Sequence, residues 1–404
     1  MNNKSRQAIN EVLTRGVEQI LPDKTGLAAL MQKRKIRLYN GIDPTGPNLH
    51  LGHSVVLRKL RDFQELGHEA ILLVGSFTAQ IGDPTDKEAT RKPLTPMQVE
   101  TNMATYEEQA SKILDFSKVK LVYNADWLAN LSIEKTIELA SHVTAQQIIE
   151  RDMFQKRLKE DKPLHLHEFF YPLVQGYDSV HLNVDLEIGA TDQLFNMLVG
   201  RKLQKIYNQK EKFVMTLPLL LGLDGQKMSK SLGNTVNLTD PPGEMYSKLM
   251  SLQDALIGQY FELCTDLPEA DVKELTREAK KKPMDVKKRL AHEITKMYHG
   301  KDEADKAAKE FEQTIQRGEQ PKNPPTVLLE HLTSTPISGA TVSQIAMGTA
   351  LVSSASDARR IIEQGGFELD GKRITDPMKK VKLQGGETVK IGKRGYRRIK
   401  ASKK

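Results

Sequence analysis

The chain has 404 residues, enough for two or three domains, with 60 Lys plus Arg against 52 Asp plus Glu and a net charge of +8. The excess is not spread evenly: the 34 residues from Gly371 to Lys404 hold 13 basic and 2 acidic side chains, leaving 47 basic against 50 acidic in the other 370. A basic end of this kind is either the footprint of a polyanion partner, nucleic acid above all, or a solvated tail. A single cysteine, Cys264, excludes an internal disulfide framework and a cysteine-rich zinc module, so no structural metal is expected. Apolar runs such as Ala70 to Val74 and Leu217 to Leu221 are too short to span a bilayer, and Met1 to Leu13 lacks the pattern of a secretory signal. A soluble cytoplasmic protein with no membrane partner is expected.

In chain order, Ile36 to Ile42 reads as a strand and Ala70 to Gly75 as a fully buried one; between them Val56, Leu60 and Phe63 recur at the spacing of one helix face. Val119 to Tyr123 predicts a third strand, Ser132 to Arg151 a helical stretch, and Phe213 to Leu221 another buried strand. Strands alternating with helices predict an α/β fold with a Rossmann-like, doubly wound parallel sheet, whose ligands bind beyond the carboxyl ends of the strands. From about Pro241 to Gly318 charged helical segments take over, notably Asp271 to Lys281 and Pro283 to Tyr298. Prolines at 321, 324, 325 and 336 then punctuate a connector. Ser354 with Asp357 three residues later opens a capped helix that Gly365-Gly366 stops, and Asp370-Gly371 between Phe367-Glu368-Leu369 and Lys372-Arg373-Ile374 marks a hairpin. The expected division is a catalytic domain over 1–235, an α-helical domain over 236–320, a linker over 321–338 and a small basic α+β module over 339–404.

Chemistry concentrates in two loops. The first, Asp43-Pro44-Thr45-Gly46-Pro47-Asn48-Leu49-His50-Leu51-Gly52-His53, leads into the helix that contains Val56. A helix N-terminus favours anions, Gly52 lets a ligand approach the backbone, and two imidazoles three residues apart can donate to a phosphate. Metal ligation and simple capping are the other readings of such a pair. The second loop, Gly225-Gln226-Lys227-Met228-Ser229-Lys230-Ser231-Leu232-Gly233-Asn234, follows the last buried strand. Two lysines three apart among small residues suit a triphosphate whose charge grows during reaction, although a lysine pair alone is ordinarily a solvated loop. No Gly-x-x-x-x-Gly-Lys-Ser/Thr or Gly-x-Gly-x-x-Gly loop is present, so a nucleotide would depend on the histidine turn.

His50-Leu51-Gly52-His53 and Lys227-Met228-Ser229-Lys230-Ser231 resemble the two signatures of the class I aminoacyl-tRNA synthetases, with Leu51 where Ile is usual. Leu38 to Thr45, Ile81 to Thr85, Tyr171 to Asp178 and Ile188 to Gln193 resemble the bacterial tyrosyl-tRNA synthetase family, in the branch that keeps the Lys-Met-Ser-Lys-Ser form. The resemblance spans essentially the whole chain. It implies ATP and L-tyrosine as substrates, Mg2+ accompanying the ATP, tRNA(Tyr) as acceptor and a homodimer. It implies that Tyr39 and Asp178 bracket the phenol hydroxyl, that Asp83, Tyr171 and Gln175 hold the ammonium group, that Asn124 orders the pocket and that Gln193 lies near the carboxylate. ATP falls to Gly41, Asp43, Gly52, Asp192, Met228, Ser229 and Ser231, with Asp192 on the ribose. His50, His53, Lys227 and Lys230 are assigned to the phosphates, with Thr45, Lys87 and Arg91 assisting; a plain solvated helix is the other reading of Lys87 and Arg91. Asn40, Val56 and Glu187 stand where the branch with the degenerate lysine loop has cysteine, threonine and glutamine, and bear on contacts to the ribose and the second histidine.

The terminal module resembles a small RNA-binding fold shared by a ribosomal small-subunit protein and several pseudouridine synthases, on Ser356 to Gly366 and the Asp370-Gly371 hairpin. Ala355, Ala358, Ile361 and Ile362 are expected to pack inward while Arg359 and Arg360 face RNA. Two other classes share part of this pattern. A nucleotidyltransferase would share the histidine turn without needing an RNA module, and a non-enzymatic RNA-binding relative could have lost the lysines, which are intact.

Overall fold

The computed structural model describes residues 3–85, 93–228, 233–313, 324, 326–329, 340–349, 351–352, 354–392 and 395–400. Lys87, Arg91, Ser229, Lys230 and Ser231 lie outside the described residues. The chain forms two compact units, Met1–Lys301 and Asp302–Lys404. The sheet and the helices as far as His299 lie in the first unit.

The first unit is built on β1 (Gln19–Leu21), β2 (Arg37–Ile42), β3 (Glu69–Val74), β4 (Lys120–Tyr123), β5 (Leu186–Ala190) and β6 (Phe213–Leu217), in the order β1-β6-β5-β2-β3-β4. Every neighbouring pair is parallel except β1 and β6, so the sheet is doubly wound as expected. Four strands match the apolar runs in the sequence. β5 has a glutamate at its second position that interrupts the apolar pattern, yet Glu187 is buried at 3 % exposure because an ion partner meets it inside. The helix Leu51–Glu65 lies against the sheet with Leu57, Leu60 and Phe63 fully covered. The predicted Ser132 to Arg151 helix is two, Ile133–Ser141 and Ala145–Ile149, because Thr144 accepts the amide of Gln147 and caps a new start. No helix among the described residues is long and apolar enough to cross a membrane.

In the second unit β7 (Thr326–Leu328), β9 (Phe367–Leu369), β10 (Lys372–Arg373), β12 (Thr388–Ile391) and β13 (Gly395–Lys400) form a sheet in the order β10-β9-β12-β13-β7, beside the pair β8 (Ala340–Thr341) and β11 (Lys380–Val381). Over its described residues the basic segment is thus folded and not a solvated tail. It supplies β10 to β13, and Leu383, Val389, Ile391 and Ile399 belong to the module's core. β7 falls inside the stretch read as a linker; its Thr-Val-Leu run pairs in parallel with β13. Ser354 caps the helix Ala355–Glu363 by accepting the Asp357 amide at 3.1 Å. Ala358 and Ile362 are buried and Arg359 and Arg360 exposed, but Ala355, expected inside, is exposed in the first turn. Asp370 and Gly371 both take positive φ, 47° and 76°, as a two-residue type I′ hairpin turn requires.

β2 pairs with β3 at six residue pairs, Arg37 through Ile42, but with β5 only at Leu38↔Leu186 and Tyr39↔Glu187. The order reverses at this point: β3 and β4 lie to one side, β5 and β6 to the other, and a crevice opens between the carboxyl ends of β2 and β5. Asp185 closes the opposite end. Its carboxylate takes Arg34 bidentately at 2.7 and 2.8 Å, the Arg37 amide at 2.9 Å and Lys210 at 2.9 Å, while its own amide donates to the Arg37 carbonyl at 2.7 Å. Burial alone would raise the Asp185 carboxyl; these partners outweigh it and bring it down to about 2. A depressed carboxyl stabilises the fold above its unfolded value of about 3.9 and loses that contribution as the pH falls through its folded value. Asp185→Asn is therefore expected to cost on the order of 2 kcal/mol at neutral pH, with the gap from wild type closing between about pH 4 and pH 2. Urea unfolding across that range checks it; a pH-independent gap would mean that the ion pairs are not its source.

Candidate active site

The histidine turn follows directly from the end of β2. His50 is the N-cap of Leu51–Glu65, and the two imidazoles make a reciprocal capping box: His50 Nδ1 accepts the Gly52 amide at 3.1 Å and His53 Nδ1 accepts the His50 amide at 3.1 Å. A ring nitrogen that accepts a hydrogen bond carries no hydrogen, so the proton of each neutral imidazole resides on Nε2. Capping and ligand donation are thus not exclusive, because different nitrogens serve them. The rings lie 3.9 Å apart at the positive end of the helix dipole, an arrangement suited to an anion.

Backbone pairing brings the lysine loop to this turn. Leu51 N–H donates to Val236 O and Leu238 N–H to Leu49 O, both at 2.9 Å. Lys227 bridges back to Leu221 across a tight loop, and Asn234 Nδ2 pins it by donating to Lys227 O at 3.2 Å and Asp224 Oδ1 at 2.8 Å. Met228 Sδ sits so close to Gly52 that a Cβ there would lie 3.5 Å from it. Lys227 Nζ reaches Asp192 Oδ2 at 2.8 Å, so the cation expected on the phosphates pairs with the carboxylate expected on the ribose.

Between these loops a cavity of about 310 Å³ runs into the crevice of the sheet. β2 and its loop contribute Tyr39, Gly41, Asp43 and Thr45; the histidine turn contributes His50, Gly52 and His53; and the helix Leu166–Leu182 contributes Tyr171, Gln175 and Asp178. Asp83, Asp192, Gln193, Lys227 and Met228 of the predicted set line the cavity too, as do Asn40, Val56 and Glu187. Asn124 stands behind the wall, fully covered, and donates to Asp178 at 3.2 Å. Arg359 and Arg360 belong to the other unit.

Each carboxylate in the wall is aimed by neighbours. Asp43 accepts Thr78 Oγ1 at 2.7 Å and Tyr171 OH at 2.8 Å, and it fits only because residue 75 is glycine: a Cβ there would stand 1.9 Å from Asp43 Oδ1. Asp83 accepts Gln193 Nε2 at 2.7 Å, while Asn196 holds the other end of that amide at 3.0 Å. Asp178, 1 % exposed, accepts the Trp127 indole N–H at 2.9 Å. Burial pushes the Asp178 carboxyl well above the usual carboxylate range, against the hydrogen bonds from Asn124 and Trp127. Burial likewise raises the Tyr39 phenol, whose oxygen lies 2.9 Å from Ser179 Oγ. Gln175 Nε2 points at Glu187, and its Oε1, a buried acceptor on the cavity wall, has no partner among the described residues. Sequence reasoning missed Thr78, Asn196 and Trp127; for the last, the chain's single tryptophan three residues after Asn124 was the available signal.

An anion-accepting turn, an adjacent lysine loop and a closed polar floor at a Rossmann-like switch point agree with the comparisons. Residues 31–316 match the family described as tRNA synthetases class I (W and Y), and residues 350–389 match the S4 domain. The chain belongs to this class I synthetase family. Its relatives include the tyrosine–tRNA ligase of Thermotoga maritima, 44 % identical with 96 % of each chain covered, and that of Haemophilus ducreyi, 45 % identical with 98 % of this chain and 99 % of the other covered. The fold is shared with the C-terminally truncated mitochondrial tyrosyl-tRNA synthetase of Aspergillus nidulans (TM-score 0.64, 20 % identity, 77 % of this chain and 98 % of that one). It is shared too with the Archaeoglobus fulgidus tyrosyl-tRNA synthetase solved with L-tyrosine (TM-score 0.60, 23 % identity, 75 % and 99 %).

Proposed function

We propose that the protein activates L-tyrosine with ATP and then transfers the tyrosyl group to the terminal ribose of tRNA(Tyr). One observation carries the reading: a single cavity leads from two imidazoles and a lysine loop to a floor holding a buried hydroxyl and a buried carboxyl. The first end suits a nucleotide's phosphates, the second a phenol. In the first step the tyrosine carboxylate attacks the α-phosphate, and the bond to pyrophosphate breaks. In the second the ribose hydroxyl attacks the carbonyl carbon and AMP leaves. The nucleophile of the first step is already ionised, so catalysis there is positioning plus stabilisation of the charge that develops on the phosphates.

We assign His50 and His53, through Nε2, to the phosphates, and Lys227 and Lys230 to the β- and γ-phosphates. Lys227 would exchange Asp192 for ATP, freeing that carboxylate for the ribose. Met228, Ser229 and Ser231 carry the lysines past the nucleotide, and Gly41, Asp43 and Gly52 accommodate it along β2 and the turn. Thr45, Lys87 and Arg91 are assigned to pyrophosphate. ATP would enter as its magnesium complex, the ion offsetting part of the phosphate charge. Tyr39 and Asp178 read the phenol hydroxyl, Asp83, Tyr171 and Gln175 receive the ammonium group, and Gln193 lies by the carboxylate. The unpartnered Gln175 oxygen supports the ammonium assignment, since it is a buried acceptor awaiting a donor. We further assign the protein to the cytoplasm and to a homodimer, in line with its family, and Arg359 and Arg360 to tRNA.

ATP–pyrophosphate exchange across the twenty amino acids tests the reading: a signal with tyrosine alone is expected, and a signal with another amino acid or none would refute it. Asp178→Ala should lower the preference for tyrosine over phenylalanine by at least about tenfold, because a hydroxyl pair left unmatched costs about 1–3 kcal/mol. Undiminished selectivity would mean that another group reads the hydroxyl. Lys230→Ala should slow adenylate formation by at least about tenfold with little change in tyrosine binding, its contact strengthening in the transition state; an unchanged pre-steady-state rate would exclude that role. Replacing Arg359 and Arg360 together by Ala should leave exchange intact while reducing the salt slope of tRNA binding by roughly two. An unaltered slope would place the RNA contact elsewhere.

A further inference from the structure

Beneath the amino-acid end of the cavity lies a charged pair that none of these roles uses. Lys212 stands just before β6, fully buried, with its ammonium on the Glu187 carboxylate of β5 and 2.5 Å from Ser179 Oγ. Space for it is cut out of the helix Leu194–Asn208 by Gly200, where a Cβ would come within 2.7 Å of Lys212 Nζ and 2.8 Å of Ser179 Oγ. Ser179 is in turn 2.9 Å from the Tyr39 hydroxyl and 3.3 Å from Glu187, and the other Glu187 oxygen accepts Gln175 Nε2 at 3.4 Å. The pair therefore reaches both residues assigned to opposite ends of the bound amino acid, Gln175 directly and Tyr39 through Ser179.

We propose that Lys212 is a positioning residue for this pocket: with Glu187 it forms a buried pair of zero net charge that sets the hydrogen-bond directions of Tyr39, through Ser179, and of Gln175.

The chemistry of donors and acceptors gives the directions. An ammonium only donates and a carboxylate only accepts. Lys212 takes one Ser179 lone pair and Glu187 accepts the serine hydrogen, so Ser179 meets Tyr39 as an acceptor and the Tyr39 hydroxyl donates to it. Glu187 forces Gln175 to offer its NH₂, which leaves the amide oxygen facing the cavity, where an ammonium group would meet it. A glutamine at 187 could either donate or accept and would not fix that amide. The carboxylate at 187 is tolerable in a closed pocket because Lys212 cancels its charge; burial pulls the Lys212 ammonium's pKa down, against the opposing pull of Glu187.

This inference rests on reading the cavity as a tyrosine pocket, and the full-length protein tests the two separately. Lys212→Met should raise the tyrosine KM in ATP–pyrophosphate exchange at least tenfold while the ATP KM stays within twofold. Adding Glu187→Gln should recover much of the loss by removing the stranded carboxylate, a rescue that a mere packing role for Lys212 would not give. Ser179→Ala, which strands no charge, should lower the preference for tyrosine over phenylalanine at least fivefold, and it decides the question if Lys212→Met does not fold. The proposal falls if folded Lys212→Met keeps its tyrosine KM, if both KM values rise together, or if Ser179→Ala retains full selectivity. Wild-type protein giving no tyrosine-dependent exchange would overturn the tyrosine reading and this inference with it; an active wild type with unaffected variants would overturn this inference alone.

Discussion

The short pairing between β2 and β5 is the constraint on which the site depends. Ladder pairing between these strands stops after Tyr39 and Glu187, beyond which the Asn40 side chain donates to the Ile188 carbonyl at 2.9 Å, while β2 continues to Ile42 beside β3. Strands that part in this way leave backbone groups and side chains facing a crevice instead of one another, and a structure tolerates the opening only if something else holds the strands at their other end. Asp185 does so, joining Arg34, the Arg37 amide and Lys210 in one cluster. Each element of the site then follows: the histidine turn is what the chain does on leaving β2, and Asp192 and Gln193 are what it does on leaving β5.

Within the crevice the polar groups are held by protein contacts before any ligand enters. Asp43, Asp83 and Asp178 each accept at least two hydrogen bonds from the protein, and the two imidazoles spend one nitrogen apiece on the helix cap. Groups fixed in advance need little reorganisation when charge moves, which is how a site with no protein nucleophile can still accelerate a reaction. Lys227 differs, since its ammonium is half exposed and its partner Asp192 lies across a loop.

Much of this was legible in the sequence because the physics behind it is local. β3 and β6 are largely apolar, β2 and β4 set shorter apolar stretches behind a basic first residue, the histidine turn is a capped helix start, and Asp370-Gly371 needs two positive φ angles. Less legible were features decided by residues far away in the chain. Glu187 breaks the apolar run of β5 and looks solvated until Lys212 is found beneath it; Lys212 itself closes the polar stretch Asn208-Gln209-Lys210-Glu211-Lys212, which reads as an exposed turn. Trp127 gives no periodic signal, and its indole matters only because Asp178 comes to meet it from another helix. The basic end of the chain was placed in a small α+β module by the hairpin and by resemblance, not by its charge; its apolar minority, Val389, Ile391 and Ile399, supplies core to the sheet it forms.

The buried Glu187 and Lys212 pair also constrains how such a chain can change. A descendant that lost the lysine first would carry a lone carboxylate under its substrate, and one that lost the glutamate first would carry a lone ammonium; stranding either ion costs about 3–5 kcal/mol, a large part of a domain's stability. Drift by single substitutions between this pocket and one with a neutral amide at 187 therefore passes through a weakened intermediate. The two positions, 25 residues apart in the chain, are therefore coupled energetically, and Gly200, which makes the room for the ammonium, is coupled to them.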